Sequence, residues 1–272
     1  QHEINKDVAD GWKPFLIVAS CGTTNTGSID PIEELSKIAT NHGMWLHVDA
    51  AYGGSVAFSE NHRAKIFCIG SADSIAWDAH KWLYQTHGCG AVFFREQSHP
   101  LKSFSGSGGY VRDVECLDAP CDPWNYGIEL TRPARHMRLW FTLQVLGLER
   151  IDKMISSAFD LSEHLEFELR EKRDWQIISS SSLAILTFRY APEAIRSNNS
   201  VCNDCNTAIS KKIASENKAV IFTTRLKKLV CLRMCTINPN TTMEDIDEVV
   251  ETLDSIAKAT ATRLTAKHSV RF

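Results

Sequence analysis

The 272-residue sequence has no long hydrophobic run and no surplus of charge of either sign. No apolar stretch approaches the roughly 20 residues that a membrane-spanning helix needs, so we expect no membrane association. A formal net charge of −3 provides no basic excess for binding nucleic acid or an anionic lipid surface. With 43% hydrophobic and 23% charged residues, the composition is that of a globular protein with one or two domains.

The sequence also lacks an initial methionine and a targeting signal. It begins at Gln1 with a polar stretch that contains no hydrophobic segment of the kind found in leader peptides. We therefore expect a cytoplasmic protein whose sequence is truncated at its amino end.

The nine cysteines do not have the even, closely spaced pattern of a disulfide framework, which favours reduced thiols. Cys202 and Cys205 have the spacing of half a zinc site, and Cys231 and Cys235 lie downstream. The last two occur in a strand-like run, where cysteine usually acts as a small buried hydrophobic residue. We expect core packing for these side chains, and no metal site.

The front of the chain has the pattern of a strand, a loop, a helix and a second strand. Residues 15–20 form a short apolar run typical of a buried parallel strand. The following turn, residues 21–28, is rich in hydroxyls and glycine, and it either faces a ligand or only precedes the next helix. Asp30 is the predicted N-cap of a helix ending near Gly43, and residues 44–48 form the next strand. This βαβ pattern predicts a parallel sheet.

Two ionisable side chains follow predicted strands. Asp49 comes after the strand at 44–48, and Lys81 comes after a strand at 74–77. Ligands of α/β proteins bind outside the carboxyl ends of such strands. Pyridoxal phosphate chemistry needs a lysine amine for its aldehyde and a carboxylate for its pyridine nitrogen. A turn-capping role for Asp49 and a solvent-directed Lys81 stay open as simpler interpretations.

The residues around Asp49 also raise the question of a metal ion. His47 and Asp49 lie two residues apart and therefore face the same side of their strand, as the ligands of a metal would. The sequence offers no third ligand at a fitting spacing, so we expect no metal ion here.

Three separated segments resemble the signature of the group II pyridoxal-phosphate-dependent amino-acid decarboxylases. They are HVDAA at residues 47–51, DAHKW at 78–82 and GTT at 22–24, and the resemblance extends over essentially the whole chain. It implies a fold-type I α/β architecture and pyridoxal 5'-phosphate as cofactor. The implied cofactor-binding residues are Lys81 as the covalent attachment point, Asp49 at the pyridine nitrogen, Ala51 against the ring, Thr24 near the ring substituents and His80 near the phosphate.

At residue 78 the sequence departs from the family, which often has asparagine there. The resemblance implies that Asp78 lies near the cofactor phosphate. A carboxylate in that position would repel the phosphate unless a cation or a changed hydrogen bond offsets its charge.

The resemblance also implies two residues that act on the substrate. Tyr110, in a mobile loop near residues 103–125, would protonate the substrate carbon after carbon dioxide leaves, and glycines before it would let the loop close. Tyrosine rather than phenylalanine at this position favours decarboxylation over aldehyde formation. Arg233 matches an arginine near the family's active site. A surface position for the tyrosine, and a packing or ion-pair role for the arginine, stay open.

The predicted domain organisation has two parts. Residues 1–147 would form the carboxyl-terminal part of a large cofactor-binding domain with a mainly parallel sheet, and residues 148–272 a small α+β domain. In the second part we predict a helix at 148–172, strands at 175–180 and 183–190, a polar loop at 191–204 and a final helix at 243–260.

We therefore expect a homodimeric enzyme that converts an L-amino acid to its amine and carbon dioxide. The segment at 130–135 resembles sequences of aromatic-amino-acid enzymes and favours an aromatic substrate, while glutamate and cysteine sulfinate stay open. The sequence is also compatible with a different pyridoxal phosphate lyase, an aldehyde synthase, or an inactive truncated module for dimerisation. The front half that supplies the stacking ring and phosphate groups in the family is absent from the sequence.

Overall fold

The computed structural model of the chain describes residues 1–104 and 122–269. The chain divides into two compact units. The first consists of Gln1–Ala19, Pro31–Ala51 and Cys68–Val145, and the second of Ser20–Asp30, Tyr52–Phe67 and Leu146–Phe272. Two short segments from the front of the sequence therefore belong to the unit that contains its carboxyl-terminal half.

The first unit is built on a four-stranded sheet with the strand order β1-β2-β3-β4. Strands β2 and β3 are parallel, whereas β4 is antiparallel to β3, so the sheet is mixed rather than uniformly parallel. The predicted α/β class is confirmed. The elements of the first unit are α1 His2–Ala9, β1 Leu16–Ser20, α2 Ile32–His42, β2 Trp45–Asp49, β3 Ser74–Asp78, α3 Ala79–Trp82, β4 Gly90–Phe94 and α4 Ser98–Phe104, with a 3-10 helix at Pro123–Tyr126. A 3-10 helix at Gly53–Phe58 and the first part of another at Arg63–Ser71 belong to the second unit.

Helix α2 begins differently from the prediction. Pro31, not Asp30, occupies the N-cap position, and among the described residues no side chain caps the helix. The Asp30 carboxylate instead accepts a hydrogen bond from the backbone N–H of Ser20, at 2.7 Å. The predicted end is confirmed, because Gly43 closes the helix in the left-handed conformation that glycine adopts readily.

The second unit contains an antiparallel sheet with the strand order β5-β6-β8-β7, packed against helices. Helix α5 begins at Arg135, ahead of the predicted helix at 148–172, and its backbone is not helical at Gly147, close to where the chain passes from the first unit to the second. The elements are α5 Arg135–Arg170, β5 Trp175–Ser182, β6 Ile185–Tyr190, α6 Glu193–Arg196, α7 Asn199–Ser215, β7 Phe222–Leu226, β8 Leu229–Cys235 and α8 Met243–Ser269.

The predicted polar loop at 191–204 is wrong, because α6 and the first turns of α7 occupy it. The Asn198 side chain caps α7 by accepting hydrogen bonds from two backbone N–H groups of its first turn. Cys231 on β8 is fully buried, as predicted, whereas Cys235 at the end of the same strand is only half-buried. Cys202 and Cys205 on α7 are fully buried as well. Burial raises the pKa of the Cys205 thiol to about 11.

The front segments attach to the second unit through specific contacts. The Tyr52 hydroxyl donates to the carbonyl of Leu183 at 2.7 Å. The His62 ring stacks on Phe159 of α5, with ring centroids 3.9 Å apart. Local strand propensity cannot reveal these contacts, because the partners lie about a hundred residues away in sequence.

Candidate cofactor site

The register of β2 and β3 brings two strand ends to the same edge of the first sheet. Asp49, the last residue of β2, pairs with Ala76 of β3. Hydrogen bonds continue past the end of β2, from Ala50 N–H to the Ala76 carbonyl at 3.0 Å and from Asp78 N–H to the Ala51 carbonyl at 3.1 Å. Residues 49–51 therefore lie beside the strand that leads directly into α3 and its lysine.

Asp49 is exposed at this edge. Its Oδ1 accepts a hydrogen bond from the backbone N–H of Ala51 at 3.0 Å, so this residue does cap the turn that follows it. Because an ionised carboxylate has two oxygens with about four acceptor positions, this bond leaves capacity for a further N–H donor. The cap orients the carboxylate and is compatible with a ligand role.

Lys81 lies on the exposed side of the one-turn helix α3 and is followed by two buried residues. Trp82 and Leu83 are 0% and 1% exposed, whereas the Lys81 side chain is 42% exposed. Its ammonium Nζ lies 3.1 Å from Oδ2 of Asp78, one turn earlier. Burial of Trp82 fixes the helix to the sheet and leaves the lysine amine accessible.

A contact with Cys89, the residue before β4, orients the His80 ring. Its Nδ1 lies 3.1 Å from the carbonyl oxygen of Cys89, and because a carbonyl only accepts, Nδ1 carries the proton of this bond. The other ring nitrogen, Nε2, faces the Asp78 carboxylate at 3.9 Å. Asp78 thus has one lysine ammonium and one imidazole beside it, which supplies the offsetting cation that the sequence required for an aspartate at this position.

Gly90 is a site residue that sequence reasoning missed. It pairs with Asp78 across β3 and β4, and a Cβ added to it would lie 2.7 Å from the Asp78 Oδ1. The carboxylate therefore occupies the space that a side chain at residue 90 would take. The sequence signal was a glycine at the start of a strand, which sequence alone does not link to residue 78.

His47 is engaged within the sheet. Its Nδ1 lies 2.7 Å from the Ser74 hydroxyl, which also accepts a hydrogen bond from Trp45 Nε1 at 2.8 Å. This contact uses one ring nitrogen of His47 and leaves Nε2 for any other partner.

The remaining predicted residues belong to the second unit or lie outside the described residues. Thr24 is exposed, and its backbone carbonyl accepts a hydrogen bond from Nε of Arg233 at 2.6 Å. The structure therefore joins these two predicted residues directly. Tyr110 lies outside the described residues.

The first unit's residues fit pyridoxal phosphate in their chemistry. An accessible primary amine, an exposed carboxylate with spare acceptor capacity and a small half-buried alanine at residue 51 occur at one sheet edge. These are the groups needed for the aldehyde, the pyridine nitrogen and the ring face of that cofactor.

Comparison with known proteins gives a consistent result. The sequence model described as "Pyridoxal-dependent decarboxylase conserved domain" matches residues 1–191. Aromatic-L-amino-acid decarboxylase of Bacillus atrophaeus is 33% identical over 257 residues, which is 94% of this chain and 53% of the relative. Human cysteine sulfinic acid decarboxylase is 31% identical over 198 residues, 72% of this chain and 40% of the relative.

Solved structures show the same fold. The crystal structure of mouse CSAD superposes with a TM-score of 0.86 at 25% identity, covering 94% of this chain and 55% of the mouse chain. The chain thus spans about half the length of the proteins it matches.

Proposed function

The chain belongs to the pyridoxal-dependent decarboxylase family, and from that membership we propose that it carries the cofactor lysine of an enzyme that converts an L-amino acid to its amine and carbon dioxide. Members of this family are carboxy-lyases that use pyridoxal 5'-phosphate. The observation that carries the proposal is the placement of Asp49 and the Lys81 helix after adjacent parallel strands.

When bound, the cofactor supplies a ring that accepts the electrons left behind by carbon dioxide. In this proposal the Lys81 amine would hold the cofactor through its aldehyde. The Asp49 carboxylate holds the proton on the pyridine nitrogen, and the cap from Ala51 N–H keeps the carboxylate oriented. The small side chain of Ala51 leaves room for the flat ring.

Asp78 and His80 are proposed to act on the phosphate side. The Asp78 carboxylate lies 3.1 Å from the Lys81 ammonium and would help to orient that amine. The His80 side chain would lie on the same side, because its Nε2 is 3.9 Å from the Asp78 carboxylate.

Tyr110 and Thr24 complete the proposed residue roles. The Tyr110 hydroxyl would deliver a proton to the substrate carbon, and the Thr24 hydroxyl would donate to a polar ring substituent. Both assignments rest on the motifs that these residues match.

For the substrate we propose an aromatic L-amino acid, because the Bacillus relative is named for that class and is 33% identical. Cysteine sulfinic acid is the second candidate, since human cysteine sulfinic acid decarboxylase is 31% identical over a shorter stretch. A homodimer and a cytoplasmic location are part of the same proposal. Among the helices of residues 1–104 and 122–269, none is long and apolar enough to cross a membrane.

Covalent trapping tests the cofactor role. The protein is mixed with pyridoxal phosphate and reduced with borohydride, and the modified peptide is identified by mass spectrometry. We expect a visible absorbance band before reduction and a label on Lys81. Lys81→Arg should lose both, whereas Lys37→Arg, which changes an exposed lysine of α2, should keep both. Equal labelling of many lysines would contradict the proposal.

Product analysis then tests the reaction. Stoichiometric amine and carbon dioxide from an aromatic L-amino acid are expected. Release of ammonia with an aldehyde would point to an aldehyde synthase, and turnover of cysteine sulfinate alone would select the second substrate class.

A further inference from the structure

The loop that carries Thr24 is attached to the carboxyl-terminal sheet. We call residues 21–28 the Thr24 loop. Although it follows β1, it belongs with residues 146–272 to the second compact unit. Its position therefore depends on contacts with that unit.

Within the loop, backbone hydrogen bonds form a closed turn. The N–H groups of Gly22 and Thr23 both donate to the Ser28 carbonyl, each at 3.0 Å, and Gly27 N–H donates to the Thr23 carbonyl at 2.8 Å. The Thr23 hydroxyl also accepts from Ser28 N–H at 3.1 Å. The loop is therefore a hydrogen-bonded turn, and its contacts with residues beyond 21–28 set its position.

Two side chains of the sheet hold this turn from outside. Nε of Arg233 donates to the Thr24 carbonyl at 2.6 Å, and the Ser182 hydroxyl donates to the Gly27 carbonyl at 2.8 Å. Arg233 lies on β8, an inner strand, where its backbone pairs with Thr187 of β6 and Phe222 of β7. A donor fixed at the middle of a sheet is a rigid support, and its charge strengthens the bond to a neutral carbonyl.

We propose that Arg233 and Ser182 are positioning residues for Thr24, so that the carboxyl-terminal sheet sets the place of a cofactor-contacting hydroxyl. This rests on the proposed function for the cofactor role of Thr24. The bond from Arg233 ends on the carbonyl of Thr24 itself, which fixes the peptide plane next to the side chain. Arg233 thus acts on Thr24 through the backbone of the loop.

Hydrogen exchange of the cofactor-free protein tests the support directly. The amides of Gly22, Thr23 and Gly27 are the probes, because all three are bonded within the loop. In Arg233→Met we expect their exchange to be about tenfold faster, the loss expected for one charged hydrogen bond. Arg233→Lys, which keeps a cationic donor, should restore part of the protection. Arg225→Met changes an arginine of the neighbouring strand β7 and should have no effect.

Unchanged loop exchange in Arg233→Met would overturn the proposal. If the amides of β8 also lose protection in Arg233→Met, the substitution has disturbed the sheet. In that case the Ser182→Ala variant tests the proposal in its place. That variant removes one hydroxyl at the end of β5, and faster loop exchange with β8 intact supports the proposal, whereas unchanged exchange refutes it.

Cofactor affinity tests the link to Thr24. Arg233→Met should weaken pyridoxal phosphate binding, measured by absorbance titration, by about tenfold in the natural background. In a Thr24→Ala background its effect should be much smaller, because the hydroxyl that it positions is gone. Equal effects in both backgrounds would overturn the positioning role. If no variant or wild-type protein binds the aldehyde at Lys81, the proposed function fails, while the exchange result still stands or falls separately.

Discussion

Replacement of Gly27 by alanine tests how closely the Thr24 loop approaches the carboxyl-terminal sheet. Gly27 has φ of +67°, and a Cβ built on it would lie 2.0 Å from the carbonyl oxygen of Ser182. That oxygen belongs to the backbone of β5, so it cannot turn aside as a flexible side chain would. Either the loop or the strand end must move.

The expected cost has two parts. A non-glycine residue at positive φ costs about 1–2 kcal/mol. Forcing an added methyl into occupied space costs about 1–3 kcal/mol more. We therefore expect Gly27→Ala to lower the free energy of unfolding by about 2–5 kcal/mol, a large share of the stability of an ordinary domain.

Gly43→Ala is the matched control. Gly43 has φ of +61°, close to that of Gly27, but a Cβ there would meet no atom within 4 Å. It should show only the conformational part, about 1–2 kcal/mol. Urea unfolding followed by circular dichroism gives both values, each taken from the transition in which that residue's unit unfolds. A loss for Gly27→Ala no greater than that for Gly43→Ala would refute the close approach.

Two further predictions concern charged groups. Burial alone would raise the pKa of Asp254, but hydrogen bonds from Lys258 and Trp175 outweigh it and hold that pKa below its usual value. The ionised carboxylate therefore stabilises the fold at neutral pH, and this stabilisation is lost as the pH falls through the folded-state pKa. Asp254→Asn should lower the free energy of unfolding, measured with urea, by about 1–2 kcal/mol at pH 7 and by clearly less near pH 3. A difference between the variant and the natural protein that does not change with pH would contradict this. Asp78→Asn removes a negative charge from the phosphate side, so it should tighten binding of pyridoxal phosphate more than binding of pyridoxal in absorbance titrations. An equal change for both aldehydes would argue against a phosphate near residue 78.

The places where the sequence misled us share one cause. Asp30 has the local pattern of an N-cap, yet its carboxylate bonds to Ser20 N–H, which becomes available only when the turn between them closes. Residues 191–204 look polar enough for a loop. Asn203 of this region and Asn206 just after it instead accept hydrogen bonds from the backbone N–H groups of Val230 and Tyr190, in strands that lie elsewhere in the sequence. Polar residues whose partners are distant cannot be told from solvated ones by sequence.

The sequence by itself determined the strands, their order along the chain and the two residues on which the cofactor proposal depends. Asp49 and Lys81 follow successive buried runs, and a βαβ pattern delivers the ends of such runs to one edge of a sheet. Alternation of apolar and polar residues and short apolar runs are local properties, so they can be recognised from the sequence alone.

Only the tertiary structure decided how those residues are held. It placed the Lys81 ammonium and the His80 imidazole beside Asp78, showed that Gly90 leaves room for that carboxylate, and joined Arg233 to Thr24 across 209 positions of sequence. Such contacts depend on which strand ends and loops meet after folding, and side-chain chemistry alone does not specify a partner at that separation. The same physical reason explains why the sequence did not reveal the hydrogen bond between Arg233 and the Thr24 loop.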